Sequence, residues 1–365
     1  MIPLTLGFYF GRRFLGAALA VFASIFALVA LIDYIELMRR ASDIPNVSPW
    51  LVLRTSFYRV PQVTERVMSF AALVGAMACY LNLSRRLELV VARAAGMSAW
   101  QFVAPAVVVA LGLGIVATTV YNPISAALRE RSKRLEAEMF GAESSGVQQA
   151  TSGGFWVRQR SSDGHQAIIN ASSSQEQGAL LGDVTIYTFD TAGRFDERIE
   201  AKSAELQPGA WRIADARIYS VSAPPREEAS YLLSTNLSVE QVRESFATPE
   251  TVSFWQLSSY IDLAEQAGLG AAAYRLQYHL LLARPFLLVA MVILAASVSL
   301  RFFRFGGVQQ MVLSGVGAGF LLYVLSKVTE DMSKAELMPP MAAAWLPVLV
   351  GGLTGFVVML HQEDG

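Results

Sequence analysis

Six long apolar stretches, split three and three by a polar insert of more than a hundred residues, constrain this chain most. Arg284, in the fourth stretch, is the only acidic or basic residue among them. A bilayer core is about 30 Å thick, so a helix needs roughly 20 apolar residues to cross it. The pattern predicts an α-helical polytopic membrane protein and excludes a soluble enzyme. The six stretches are Phe14–Ile32, Val67–Ser84, Ala94–Leu128, Leu276–Leu300, Phe305–Ser326 and Leu337–Leu360.

Charge and cysteine content exclude several other classes of protein. Only 16% of residues are charged, against about 25% in a typical soluble protein. The formal net charge of -1 gives no signal for nucleic-acid binding. The single cysteine, Cys79, permits no intrachain disulfide and no cysteine-based metal site. The sequence has no Gly-x-x-x-x-Gly-Lys-Ser/Thr loop, so we expect no cofactor in this chain and no ATP hydrolysis by it.

Two short arginine-rich links indicate which helix ends face the cytoplasm. The link after the second stretch carries Arg85, Arg86 and Arg93, and the link after the fourth carries Arg301 and Arg304. With six spans, both links and both termini lie on one side, which the positive-inside rule places in the cytoplasm. Basic residues in the short segments number seven on each side, so the prediction depends on their density in these two links.

The outer link between the first two stretches has a pattern of its own. Aromatic and apolar residues alternate with Arg54 and Arg59 over Trp50–Tyr58, which is typical of an interfacial helix with aromatic anchors. Pro61 is expected to end or kink that helix, because proline lacks the backbone N–H and clashes with the preceding turn.

The polar insert begins as a charged helix and then changes to a β pattern. Ile124–Gly141 continues the third span with acidic and basic residues and ends at a glycine stop signal. Beyond Ser152, short runs rich in Val, Ile, Tyr, Phe and Trp are separated by turn signals, which favours a β-sandwich or jelly roll. The alternation slips near Asp215, where a β-bulge is expected. The predicted strands are Phe155–Gln159, Gln166–Ala171, Val184–Phe189, Phe195–Ala201, Trp211–Val221 and Ala229–Leu233.

These patterns predict three segments. Residues 1–141 hold transmembrane helices one to three, with a link at 85–96. Residues 142–250 form an inserted extracytoplasmic β-jelly-roll domain, and residues 251–365 hold a connecting helix and transmembrane helices four to six.

Candidate catalytic residues are few and scattered. His165, His279 and His361 lie far apart in three different contexts, each typical of a polar residue at a turn or an interface. Arg284 lies within a span, where an ionisable residue is a functional candidate. It is also near one end of that span, so snorkelling to the interface accounts for it equally well.

Motifs on both sides of the insert resemble those of one transporter family. After the second span, Glu88 precedes Leu-Val-Val and then Ala-x-Gly at the entry to the third. Together with the three-plus-three layout, the matching segments resemble the LptF/LptG family of lipopolysaccharide-export permeases. The links around Glu88 and Arg304 are most similar to its LptG branch. The matching segments are Glu36–Arg40, Arg85–Gly96, Phe302–Gly307 and Gly315–Leu325.

The resemblance implies a half-transporter in the inner membrane of a Gram-negative bacterium. Family members pair an LptF-like with an LptG-like permease, bind a cytoplasmic LptB-like ATPase dimer that uses the ATP, and associate with an LptC-like single-span protein. The two permeases enclose a cavity that takes lipopolysaccharide from the membrane. The periplasmic jelly roll then passes the lipid towards a bridge to the outer membrane.

The resemblance also implies a coupling site in the link after the second span. In the family, this segment forms a short helix seated in a groove of the ATPase. Leu89, Val90 and Val91 would be its apolar anchors, and Arg86 and Glu88 its polar contacts. The alternative is a solvated turn between two spans.

A second implied site consists of basic residues on the outer side. Arg39 and Arg40 match a basic pair after the first span of the family, and Arg131, Lys133 and Arg134 lie near basic residues after its third span. Bidentate arginine contacts suit the phosphates of lipid A and the inner core. The alternative is a solvated helix face with acidic partners at i,i+4.

Inside the predicted jelly roll, Ile186, Phe189 and Trp211 are expected to face inward and line a conduit for acyl chains. This expectation combines the alternation of their strands with the shielded path that the resemblance implies.

Two other functions stay open from sequence alone. One is a membrane-bound enzyme of envelope lipids that uses a carboxylate such as Asp33 or Asp331, although the sequence has no clustered catalytic set. The other is an FtsX-like mechanical transducer. An FtsX-like layout places one span before the extracytoplasmic domain and three after it, which the three-and-three division disfavours.

Overall fold

In the computed structural model the chain divides into two compact units, each with its own hydrophobic core. The helix unit comprises Met1–Ser132, Ser253–Leu257 and Ala272–Gly365, and the sheet unit comprises Lys133–Val252 and Ser258–Ala271. The structure describes residues 4–42, 48–140, 155–160, 166–175, 180–190, 194–220, 224–235, 249–266, 271–303 and 308–364.

Within these residues, six helices are long and apolar enough to cross a membrane, as predicted. The third span consists of α4, a π-helical turn over Ala117–Tyr121, and α5. The helices, in chain order, are α1 (Leu4–Ala41), α2 (Pro49–Arg85), α3 (Glu88–Ala94), α4 (Ala99–Val116), α5 (Asn122–Phe140), α6 (Phe254–Gln266), α7 (Ala272–Phe303), α8 (Val308–Lys334) and α9 (Pro340–Asp364).

Helix α2 differs from the prediction. It runs without a break from Pro49 to Arg85, so the interfacial segment is its first part and, of the two expectations for Pro61, an end of the helix there was wrong. Val60 and Pro61 are both buried, and the Tyr121 hydroxyl donates a hydrogen bond to the Pro61 carbonyl oxygen at 3.0 Å. Contacts of this kind with neighbouring helices stabilise a proline within a transmembrane helix.

Small residues bring the helices of the helix unit into close contact. A Cβ atom added at Gly75 of α2 would lie 2.6 Å from the Cα of Ala18 in α1, and one added at Gly114 of α4 would overlap Pro285 of α7. Close backbone approach at such positions gives the van der Waals packing that drives helix association in lipid. Buried members of the surrounding core include Phe14, Leu73, Phe102 and Val292.

The sheet unit contains one antiparallel sheet, in which the six described strands follow chain order. Each strand overlaps one that the alternation predicted, so the β character of the insert is confirmed. The described strands pair as a meander, each with its neighbours along the chain. They are β1 (Phe155–Arg160), β2 (Gln166–Gln175), β3 (Leu180–Phe189), β4 (Phe195–Gln207), β5 (Ala210–Ser220) and β6 (Arg226–Ser234).

The sheet rolls far enough for its first strand to meet its fifth. The indole Nε1 of Trp211 in β5 donates to Oε1 of Gln159 in β1 at 3.0 Å, and the Thr235 hydroxyl after β6 donates to the same oxygen at 2.6 Å. A flat sheet would hold β1 and β5 about 19 Å apart, at roughly 4.8 Å per strand. The rolled sheet therefore encloses an apolar interior, the property for which a jelly roll was predicted.

Two aspartates of the sheet have left-handed backbone conformations. Asp183 in β3 has a φ of 49° and Asp215 in β5 a φ of 55°. In β5, buried residues have odd numbers before Asp215 and even numbers after it, so the predicted slip in alternation is present. The pairing register is the same on both sides of Asp215. The irregularity is therefore a left-handed residue and the expected β-bulge was wrong.

Candidate functional site

The link between the second and third spans folds into the short helix α3. Leu87, with a φ of 59°, reverses the chain before α3, and Gly96, with a φ of 81°, follows it. A left-handed conformation costs a non-glycine residue roughly 1–2 kcal/mol, so the fold imposes this turn on Leu87. At the entry to α4, Ser98 and Gln101 form a capping box that fixes the start of the helix.

The predicted apolar anchors of this link lie on two different faces. Leu89 is 2% exposed and packs into the core of the helix unit, so it attaches α3 to the bundle. Val90 and Val91 are 40% and 66% exposed, and Leu87, which the sequence analysis did not select, is 62% exposed. We call these three exposed apolar residues the link patch.

Glu88 is attached to the first helix. The Tyr9 hydroxyl donates to Oε2 of Glu88 at 2.9 Å, and Nε of Arg13 donates to the Tyr9 oxygen at 3.0 Å. The Arg13 guanidinium lies 4.0 Å from Oε1 of Glu88 and 5.2 Å from the centroid of the Tyr9 ring. A displacement of α3 would therefore be transmitted to α1. Arg86, the other predicted polar contact, is exposed directly after α2.

The predicted headgroup residues Arg39 and Arg40 share one carboxylate at the end of α1. Nη2 of Arg39 donates to Oε2 of Glu36 at 2.8 Å, and Nε of Arg40 donates to Oε1 of Glu36 at 2.9 Å. The two arginine side chains are 74% and 59% exposed, so an anionic group can reach both of them. Glu36 neutralises part of their charge.

The basic residues predicted after the third span lie on the surface of α5. Arg131, Lys133 and Arg134 are all exposed. Ser132, between them, is buried, and its hydroxyl donates to the Thr55 carbonyl oxygen of α2 at 3.4 Å. Arg131 belongs to the helix unit, while Lys133 and Arg134 belong to the sheet unit. Phosphate binding by these three residues stays a prediction.

Two of the three predicted conduit residues share the interior of the sheet. Ile186 and Trp211 are fully buried in its apolar core. The buried face of β3 continues from Ile186 to Thr188, so Phe189 points to the opposite side. There its ring contacts Phe195, with centroids 6.1 Å apart.

A buried ion pair, which the sequence analysis did not identify, joins the second and fourth spans. Glu65 of α2 is 6% exposed and pairs with Arg284 of α7. The Asn122 amide donates to Oε1 of Glu65 at 2.9 Å, and the Ser125 hydroxyl donates to Oε2 at 2.6 Å. Both carboxylate oxygens have donors, as a charge in an apolar environment requires. Arg284 therefore points inward, to a partner, and the snorkelling alternative was wrong.

The hydrogen bonds around Glu65 lie next to an irregular turn in the third span. Ala117–Tyr121 is π-helical, a feature that is frequent at functional sites. The hydroxyls of Tyr121 and Thr64 share a hydrogen bond of 2.8 Å, and Oδ1 of Asn122 accepts from the backbone N–H of Phe254 at 2.9 Å. Three spans and the start of α6 thus converge around one carboxylate. Two sequence signals pointed to this site: Arg284 within the fourth apolar stretch and Glu65 at the edge of the second, although nothing in the sequence paired them.

The carboxylates named for the enzyme alternative are engaged in ion pairs. Asp33 lies 2.7 Å from Nη2 of Arg59, and Asp331 lies 2.9 Å from Nζ of Lys327. Among the residues that the structure describes, no group of three or more His, Cys, Asp or Glu could hold a metal ion.

Comparison with known proteins matches the chain over nearly its whole length. The family model described as lipopolysaccharide export system permease LptF/LptG matches residues 8–361. The export permease LptG of Escherichia coli strain K12 is 23% identical over 355 residues, which cover 93% of each chain. The LptG of Haemophilus influenzae strain Rd is 24% identical over 366 residues, which cover 98% of this chain and 97% of the relative.

These matches agree with the six spans, the inserted sheet and the predicted LptG branch. The family is a transporter component of the inner membrane, so the chain is a multi-pass transport protein and neither an enzyme nor an FtsX-like transducer. The chain belongs to the LptF/LptG family of lipopolysaccharide export system permeases.

Proposed function

We propose that this chain is the LptG-like permease subunit of an ATP-driven transporter. It would extract lipopolysaccharide from the inner membrane and pass it towards a periplasmic bridge to the outer membrane. The observation that carries the proposal is the link patch of Leu87, Val90 and Val91, an apolar surface on a short helix next to two spans. Exposed apolar surfaces of this kind mark sites of interaction with another protein or with the membrane, and we assign this one to a protein partner.

The link is built to transmit force from an ATPase to the membrane helices. An LptB-like ATPase dimer would seat the link patch in a groove. Leu89, buried below the patch, and Glu88, bonded to Tyr9, would then carry the movement of the ATPase into the bundle. Glu88 would therefore act in coupling through its contact with α1. Val90 and Val91 would contact the ATPase.

The exposed faces of two spans support a second permease as partner. Of the most apolar segment of α1 only 6% is buried, and of α8 only 22%, against 61% for α7. Six spans provide half of a cavity large enough for a glycolipid. An LptF-like permease and an LptC-like single-span protein would cover α1 and α8, and lipopolysaccharide would enter between the permeases.

In the proposed topology the link lies in the cytoplasm and the sheet unit in the periplasm. The insert follows the third span, so it lies on the opposite side of the membrane from the link. Lipopolysaccharide phosphates would meet Arg39 and Arg40, together with Arg131, Lys133 and Arg134. Acyl chains would enter the rolled sheet at the apolar interior that contains Ile186 and Trp211.

The test separates assembly from coupling. Val91→Asp places a charge in the link patch and should abolish co-purification of the ATPase, whereas Val91→Leu keeps the patch apolar and should bind normally. Glu88→Ala should leave assembly intact but reduce lipopolysaccharide release per ATP, because losing a charge-assisted contact costs about 1.5–3 kcal/mol.

Normal assembly and export in Val91→Asp would contradict the proposal. So would an active transporter purified without an ATPase and a second permease.

A further inference from the structure

A groove opens between the first two helices, beside the link. Its volume is about 590 Å³, and one face each of α1 and α2 lines it. Tyr9, Arg13 and Ala17 recur four residues apart on α1, as residues of a single helix face must. Asn82 of α2 and Arg86, which directly follows α2, lie on the other wall. We call this cavity the arginine groove.

The arginine groove is polar at one end and apolar at the other. Arg12 and Arg13, near the start of α1, lie at the same end as Arg86, which directly follows α2. Further along, the walls are small residues, among them Ala17 and Ala78. From Tyr9 to Ala17 the groove runs about 12 Å along α1, at 1.5 Å per residue.

Close helix packing ends the groove within the bundle. Next to its apolar end, Ala18 of α1 packs against Gly75 of α2, where a Cβ atom would lie 2.6 Å from the Ala18 backbone. At Gly16, inside the groove, an added Cβ atom would meet nothing within 4 Å. Small side chains along the groove therefore leave space for another molecule.

We propose that the arginine groove binds an anionic phospholipid of the phosphatidylglycerol type. Three arginines line the groove, and arginine offers bidentate hydrogen bonds to a lipid phosphate. The small apolar walls match the glycerol and the first methylenes of an acyl chain. Basic pockets between transmembrane helices suit anionic lipid headgroups for this reason. The cytoplasmic leaflet as the source of the lipid follows from the proposed topology; the binding itself does not depend on it.

One arginine of the site is already held in place. Arg13 donates to the Tyr9 oxygen at 3.0 Å and lies over the Tyr9 ring, and Tyr9 in turn donates to Glu88 at 2.9 Å. Binding would therefore cost little side-chain entropy at Arg13. With Glu88 as the adjacent acidic group, the three arginines keep a net positive charge that favours an anion over a zwitterion.

Retention of lipid by the assembled transporter tests the proposal. The complex is reconstituted in nanodiscs with equal amounts of phosphatidylglycerol and phosphatidylcholine, transferred to detergent, and analysed by native mass spectrometry. We expect phosphatidylglycerol to be retained about tenfold over phosphatidylcholine, the ratio that one charge-assisted contact supports. Arg12→Gln/Arg86→Gln should remove this preference. Gly16→Leu, which fills the apolar part and keeps all three arginines, should reduce retention of both lipids.

Arg54→Gln is the matched control. Arg54 donates to the Tyr58 hydroxyl at 3.0 Å and lies 5.4 Å from its ring centroid, which reproduces the Arg13–Tyr9 contact outside the groove. This variant should retain phosphatidylglycerol like the wild type.

Three results would overturn the proposal. Equal retention of the two lipids by the wild type would show that the groove does not recognise the headgroup. Displacement of phosphatidylglycerol by inorganic phosphate, together with unchanged lipid retention in Gly16→Leu, would indicate a site for anions whose apolar end does not bind lipid. Retention by the permease alone but not by the ATPase-bound complex would show that the groove is a subunit contact.

Discussion

One ion pair of the helix unit and one of the sheet unit differ sharply in their exposure to water. In the helix unit, Glu65 and Arg284 are 6% and 16% exposed and lie 219 positions apart in sequence. In the sheet unit, Lys202 and Asp215 join neighbouring strands at 3.2 Å, and their side chains are 82% and 60% exposed. If one residue of the first pair is removed, little water can reach the other. In the second pair, water can hydrate whichever residue is left.

This contrast indicates what stabilises each unit. Removing one partner of a buried pair leaves an uncompensated charge, whereas an exposed pair exchanges its partner for water. The buried Glu65–Arg284 pair should therefore help determine how the second and fourth spans are arranged. The sheet unit should depend on its apolar interior, which Trp211 and Ile186 fill, and hardly on its surface charges.

The largest effect is expected at the buried pair. Arg284→Ala should destabilise the helix unit by about 3–5 kcal/mol, because Glu65 then keeps a buried charge without its partner. The double variant Glu65→Gln/Arg284→Met removes both charges and should recover most of that loss. Thermal unfolding of the purified chain in one detergent measures both, with Lys327→Gln as an exposed-pair control. A double variant as unstable as Arg284→Ala would contradict the comparison.

A smaller effect is expected inside the sheet. Trp211→Phe keeps an aromatic ring in the interior but removes the donor to Gln159 in β1, which should cost about 1–3 kcal/mol. The change should loosen the contact that brings β1 to β5, so limited proteolysis of the sheet unit should become faster. Tyr231→Phe, at a half-buried position of the same unit, is the control. Equal proteolysis of all three proteins would show that the Gln159 contact does not hold the rolled sheet.

Exposed charges of the helix unit should affect ligand binding without affecting stability. Arg39→Ala/Arg40→Ala should lower the lipopolysaccharide bound per complex several-fold, and the two lysine substitutions should fall in between because they lose the bidentate fork. Glu36→Gln should raise bound lipid, since Glu36 shares its carboxylate with both arginines. Mass spectrometry of the bound lipid measures all three. If bound lipid does not change, the arginine pair only anchors α1 at the interface.

The smallest effect is expected at Asp215. Asp215→Asn removes the ion pair with Lys202 but keeps a residue that tolerates a left-handed φ, so the unfolding temperature should hardly change. Asp215→Val should lower the unfolding temperature more, because a β-branched side chain is strained at a φ of 55°. Comparing the unfolding temperatures of the two variants distinguishes the effect of the lost charge from that of the strained backbone. A large loss in Asp215→Asn would mean that surface charge does stabilise the sheet.

The sequence alone determined the features that repeat locally. Apolar runs of membrane length predicted the six spans, and period-two alternation predicted the six strands, because both depend on residues close in the chain. The irregularity at Asp215 was visible for the same reason. The link around Glu88 was identified through family resemblance.

Only the tertiary structure decided which side each of these residues faces. A helix of seven residues buries Leu89 and exposes Val91, and nothing in the order Leu-Val-Val distinguishes them. Pro61 stays within α2 because other helices pack around it. Glu65 meets Arg284 across 219 positions, and their pairing depends on how α2 and α7 pack. Contacts between distant segments follow from packing, which local periodicity does not encode.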